Sequence, residues 1–227
     1  ARNVLGVLVA CASAGIIIGV VTKTGVGLRL ASGLIDLAGG MLLPAMFFTM
    51  ITAIVLGMGV PTTANYVITS TIAAPALEQM GVPVLAAHMF VFYFGIIADV
   101  TPPVALAAYA GAGISGGNAL KTGVHASKLA VAAFIIPYVF VLSPVLLMVD
   151  ATPLAIVSVT LTALLGMIAI SSALCGFLAD HCRPYERILL IIAGLLMIKP
   201  GGITDLVGLA LFVVILVMQY RRAKEAA

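Results

Sequence analysis

Charge is what this sequence has least of. Its 227 residues include 11 Lys or Arg and 8 Asp or Glu, together 8% of the chain, while 63% are hydrophobic. Soluble domains carry roughly 25% charged residues. So little charge excludes a water-soluble globular fold, and so much apolar side chain excludes disorder. The short alternating strands of a β-barrel are also absent. Cys11, Cys175 and Cys182 are an odd number without metal-ligand spacing, and the first and second sit in apolar runs as small packing residues. His88, His125 and His181 share no catalytic or metal spacing. No basic stripe interleaved with aromatics offers a surface to nucleic acid, and no GK[ST] follows the glycines of 111–117 to make a phosphate loop. No cleavable signal peptide is evident.

What the chain has is long uncharged stretches. Residues 37–77, 79–98, 100–120, 129–149 and 151–179 carry no Asp, Glu, Lys or Arg. At about 20 apolar residues per span, these predict an all-α polytopic membrane protein in a lipid bilayer. The runs 4–22, 33–57, 129–149 and 154–178 are expected as helices, with loops at 23–29, 79–87, 111–128 and 180–187. The chain opens at Ala1 inside an apolar run, which reads as a piece of a longer protein. Basic residues cluster at Lys121 and Lys128, at Arg183 and Arg187, and at Arg221, Arg222 and Lys224. Placing all three clusters in the cytoplasm satisfies the positive-inside rule and puts 79–87 and Asp150 outside, whereas Lys23 and Arg29 disagree.

Two interruptions fall inside the uncharged stretches. The first, GMGVPTTANY over 57–66, joins the apolar run 33–57 to a short arm over 64–78, with Thr62 or Thr63 as N-cap. The pair predicts a re-entrant helical hairpin. The second, DVTPP over 99–103, divides 88–98 from 104–112 and predicts a discontinuous helix with Thr101 as N-cap and Pro102 at its first position. Near the C-terminus, 188–198 and 206–220 are expected as two short half-helices that meet at KPGG, with a basic tail after them.

Unwound backbone survives at membrane depth only inside protein or beside a water-filled cavity. Carbonyls freed at such breaks, with Thr hydroxyls, suit Na⁺, and half-helix N-termini suit a carboxylate. Gly57, Gly59, Asp99 and Thr101 are therefore the candidate Na⁺ ligands, and Pro61, Thr62, Thr63, Asn65 and Pro102 the candidate substrate-site residues. Asp99 reads either as a cation ligand or as a helix cap at a watery depth. An intramembrane protease would need a deep Ser and His or two deep Asp residues. Asp99 is the one deep acid, so no enzyme activity and no cofactor beyond Na⁺ as coupling ion is expected. The remaining alternative is a membrane channel or a scaffold that transports nothing.

The segments LGMGVPTTANYVITSTIAAPALEQMGV (56–82) and FVFYFGIIADVTPPVALAAYAGAGISGGNALKTG (90–123) resemble the large membrane subunit of TRAP transporters, the tripartite ATP-independent periplasmic transporters. The DVTPPVALAAYA core and the tail IIAGLLMIKPGGITDLVG (191–208) look most like the TAXI branch. The resemblance implies a multi-pass permease of the bacterial inner membrane, an elevator-type, Na⁺-driven importer of small organic anions such as carboxylates. Its partners would be a periplasmic substrate-binding protein and a small membrane subunit, often fused upstream. The family fold has two inverted repeats, each with a hairpin and a broken helix. This chain matches one half of it, the second repeat, over residues 1–128. Two spans at 129–178 and a C-terminal extension at 179–227 follow. By position, GMGVPTT is the second clamp loop and DVTPP its unwound partner.

Overall fold

The computed structural model of the chain describes residues 12–13, 15–17, 19–21, 23–149, 151–198 and 201–226. The expected helix over 4–22 falls largely outside them, as do Cys11, Asp150 and the Lys199–Pro200 part of the C-terminal break. The described residues are overwhelmingly helical and divide into two compact units, 1–127 and 128–227. Among the described residues, three helices are long and apolar enough to cross a membrane, Ala119–Leu142, Pro153–Cys175 and Gly202–Arg222. The architecture is all-α and polytopic.

In the first unit, α1 covers Val26–Leu37, α2 Leu42–Gly57, α3 Thr62–Ile72, α4 Ala74–Gln79, α5 Val84–Ile97 and α6 Leu106–Ser115. Several boundaries correct the sequence expectations. The run 33–57 is not one helix, because Gly39 and Gly40 turn at φ 60° and 70° and Pro44 sits in the first turn of α2, where its missing N–H leaves no bond unmade. The expected loop over 23–29 is helical apart from Gly25, where Gly15–Val21 and Val26–Leu37 meet at 71°. The short hairpin arm is two helices, α3 and α4, parted at Ala73. The turn over 79–87 is shorter than expected, since α5 already starts at Val84 behind Pro83.

Small residues let these helices approach closely. Ala45 and Ala53 of α2, Ala74 and Ala76 of α4, and Ala86 and Ala87 of α5 are all fully buried, around Met46, Leu77, Phe90 and Phe94. Lipid tails are as apolar as these side chains, so close van der Waals contact holds such helices together. In this packing α5 contacts α2, α3 and α4.

Helix α7, Ala119–Leu129, and α8, Val131–Leu142, follow. The glycine-rich loop expected over 111–128 shrinks to Gly116–Asn118, because the Asn118 side chain accepts the Lys121 N–H at 3.0 Å and starts α7 there. The span expected at 129–149 is thus 119–142, and a 3₁₀ turn at Pro144–Leu147 follows it.

The second unit is dominated by α9 (Pro153–Cys175), α10 (Pro184–Ile198) and α11 (Gly202–Ala226). Thr152 caps α9 by accepting the Ala155 N–H. The segments expected as separate, 129–178 and 179–227, lie in this one unit. The pair of short half-helices is also corrected. Only α10 is short, with 15 residues, while α11 has 25, because its helix begins at Gly202 directly behind the break. A Cβ on Gly194 would stand 2.7 Å from the Gly166 carbonyl, and one on Gly208 would stand 2.7 Å from the Ala193 carbonyl. Glycine at both places lets α10 touch the backbone of α9 and α11.

Candidate functional site

The hairpin tip and the broken helix meet their expected positions. Helix α2 ends at Gly57, Gly59 turns at φ 73°, and α3 begins at Thr62. The cap differs from expectation. Pro61 is the N-cap residue of α3, and no side chain caps it. Thr62 and Thr63 lie inside the first turn, exposed, with the uncapped N–H groups of that turn beside them.

Two candidate residues are brought together in the interior. Gly57 and Asn65 are both buried, Asn65 at 2% exposure. A Cβ on Gly57 would stand 2.7 Å from the Gly95 carbonyl oxygen and 2.9 Å from Asn65 Nδ2. A Cβ on Gly95 would stand 2.6 Å from the same nitrogen. The Asn65 carboxamide therefore fills the gap where the hairpin, α2 and α3, crosses α5 ahead of its break. Its Oδ1 is buried with no hydrogen-bond partner. Buried unpartnered polar atoms are few in folded proteins and call for an explanation. Sequence reasoning singled out Gly57 and Asn65 but missed Gly95, which stands alone in FYFGII with no local signal of a crossing.

At the second break, α5 ends at Ile97, a 3₁₀ turn covers Ala98–Val100, and α6 starts at Leu106. Helix α2 also packs on that turn. The restart comes later than the expected 104, behind the successive prolines 102 and 103, and Ala105 is the N-cap residue at φ 37°. Thr101 is not an N-cap. Its hydroxyl donates to the Ile97 carbonyl at 2.7 Å, which leaves the oxygen lone pairs available. Most carbonyls of this break are already engaged. Val100 accepts from the Ser127 hydroxyl at 3.1 Å, Thr101 from the Ala105 N–H at 3.0 Å, and Pro103 from the Tyr109 hydroxyl at 2.8 Å. Asp99, Thr101 and Pro102 are half-buried, whereas Gly59 and Pro61 are exposed.

A polar chain that the sequence did not reveal ties three helices of the same unit. His88 Nε2 of α5 lies 3.1 Å from Glu78 Oε1 of α4, and its Nδ1 is 2.9 Å from the Tyr66 hydroxyl of α3. The pairing crosses 22 positions and has no sequence signature.

Residues 1–155 match the family model described as the tripartite ATP-independent periplasmic transporter, DctM component. The chain belongs to this family. No curated protein and no solved structure matches it. Membership agrees with the resemblance carried by the two breaks, and it makes the protein a multi-pass membrane component of a TRAP transporter. This is a transporter family and not an enzyme family. Among the described residues, no group of three or more His, Cys, Asp or Glu side chains could hold a metal ion. The matched TRAP segment ends just inside α9, so most of the α9–α11 bundle lies beyond it.

Proposed function

We propose that this TRAP component couples the entry of Na⁺ to the import of a small organic anion, a carboxylate, across the bacterial inner membrane. A periplasmic binding protein delivers the anion, and a small membrane subunit completes the complex. The supporting observation is the buried, unpartnered Asn65 Oδ1 at the crossing of the hairpin and the broken helix. An oxygen acceptor in a dry crevice suits a small cation and not a carboxylate, so Asn65 moves from the substrate set to the cation set. Gly57, Gly59, Asp99 and Thr101 remain its proposed companions, each offering hard oxygen. Pro61, Thr62 and Thr63 present the substrate side, where the uncapped start of α3 favours an anion. Pro102 borders the same side. Cation binding would order the tip, and the ordered tip would then hold the carboxylate.

The test is uptake of radiolabelled carboxylates by the complete transporter with its binding protein in vesicles. Imposing an inward Na⁺ gradient should drive accumulation, and a K⁺ gradient should not. Accumulation independent of Na⁺ would remove the coupling assignment. Flux that never exceeds equilibrium would favour the channel reading.

A further inference from the structure

The end of α11 carries a graded stripe. Leu216, Val217, Tyr220, Arg221 and Lys224 line one groove of about 480 Å³, outward-facing at Val217 and Tyr220. Going toward the C-terminus, the lining passes from aliphatic to aromatic to basic over roughly 12 Å, at 1.5 Å per residue. That order follows a bilayer leaflet from acyl chain to interface to headgroup. A second depression of about 340 Å³, which includes Arg183, Tyr185 and Met218, shares Arg221 with the groove.

The cations of this end are not equivalent. Arg222 is consumed internally. Its Nε donates to Asp180 Oδ2 at 2.7 Å, its Nη1 to Glu186 Oε1 at 2.9 Å, and its Nη2 to the His181 carbonyl at 2.7 Å. Arg187 donates to the Ala173 and Leu174 carbonyls at the end of α9. Arg221 and Lys224 are exposed, and no ion pair among the described residues engages either. The fold therefore neutralises one arginine and leaves its neighbour, with a lysine one turn further on, above an apolar groove.

We propose that this groove binds an anionic phospholipid of the surrounding bilayer. The phosphate sits between Arg221 and Lys224, and an acyl chain lies along Leu216 and Val217. Charge complementarity and the order of the lining choose this occupant. A zwitterionic lipid would gain little from two free cations, and a soluble phosphate would leave the aliphatic half unused.

Native mass spectrometry of the purified transporter, titrated with phosphatidylglycerol or phosphatidylcholine, tests the assignment. The native protein should retain phosphatidylglycerol in preference to phosphatidylcholine. The double substitution Arg221→Ala with Lys224→Ala should weaken that retention about thirtyfold, from two basic contacts at a membrane surface. Arg221→Lys with Lys224→Arg should keep it. An unchanged thermal midpoint in the alanine variant, expected for two exposed side chains, shows that the fold is intact. Equal phosphatidylglycerol affinity in the native and alanine proteins overturns the proposal, as does equal affinity for the two lipids. Displacement of the lipid by glycerol phosphate at comparable concentration also overturns it, because the ligand would then be a soluble phosphate.

Discussion

The hairpin crossing and the Arg222 end of the α9–α11 bundle treat buried polarity in opposite ways. In the hairpin unit, Asn65 and Thr49 are buried with unpartnered oxygens, and the backbone is interrupted at 58–61 and again at 101–105. At the Arg222 end of the α9–α11 bundle, buried polar groups are closed on one another. Gln219 donates to Glu186 Oε2 at 2.8 Å and accepts the Ala179 and Asp180 N–H groups, and Glu186 accepts the Arg183 N–H at 2.9 Å. A closed network holds one arrangement, because every alternative strands a buried charge or amide. Open acceptors beside unwound backbone are the condition for taking up a ligand. The hairpin crossing is built to change partners, the Arg222 end to keep them.

The comparison breaks first if Glu186 is dispensable. Its residue is 2% exposed, and Arg222, Gln219, Tyr185 and the Arg183 N–H all bond its carboxylate. Glu186→Ala strands these donors and Arg222's charge, so it should destabilise the bundle by about 3 kcal/mol or more, as when one partner of a buried pair is removed. Chemical unfolding in detergent measures this, and a loss below about 1 kcal/mol, the scale of a surface pair, would show that the network is not a lock.

Next in size is Gly57→Ala. Its Cβ would meet the Gly95 backbone oxygen at 2.7 Å, and a backbone atom cannot swing aside. Overpacking of this kind costs about 1–3 kcal/mol. The stronger readout is transport, since the hairpin must separate from α5 where the two should close. Uptake should fall to background, while Gly59→Ala, in open space but at φ 73°, should be milder. Equal loss in both variants would point to the turn and not to the crossing.

How much of this was legible follows the chemistry. Both breaks could be read from sequence because Gly and Pro act locally, by a positive φ or a missing donor. Gly57 and Asn65 stood within one such stretch. The helices over 23–29 and 119–129 were mistaken for loops, because Lys, Arg and Gly there outweighed the helix-forming Leu, Val and Ala between them. The Glu186–Gln219–Arg222 lock had no local signal at all, since its partners are separated by 33 and 36 positions and meet only when α10 and α11 pair. Gly208 permits that pairing, as Gly166 and Gly194 permit the pairing of α9 with α10, and each looks like an ordinary helical glycine in sequence.

Asn65→Ala sharpens the other side of the comparison. It removes the open oxygen without adding bulk, and by the Na⁺ reading it should raise the Na⁺ concentration for half-maximal uptake about tenfold, the loss of roughly one charge-assisted contact. Asn65→Asp keeps an oxygen and should retain Na⁺ dependence. If alanine leaves the Na⁺ dependence unchanged and lowers only the maximal rate, Asn65 is a packing residue at the crossing.

The smallest expected effect is acid sensitivity of the lock. The Arg222 guanidinium and the His181 N–H both bond the Asp180 carboxylate and hold its pKa below the ordinary value of 3.8. A carboxyl whose folded pKa is lowered contributes stability that is complete above the unfolded value and is lost as pH falls through the folded one. The thermal midpoint should therefore carry no Asp180 contribution to its pH slope from neutrality down to about 5, and should fall below that. Asp180→Asn should flatten this acid limb while leaving the midpoint at neutral pH slightly lower than native. The half-exposed pair is screened by solvent, so added salt should shrink the difference between the two proteins. Identical acid limbs in both would mean that Arg222 is held by Glu186 alone, and the lock would then depend on one carboxylate instead of two.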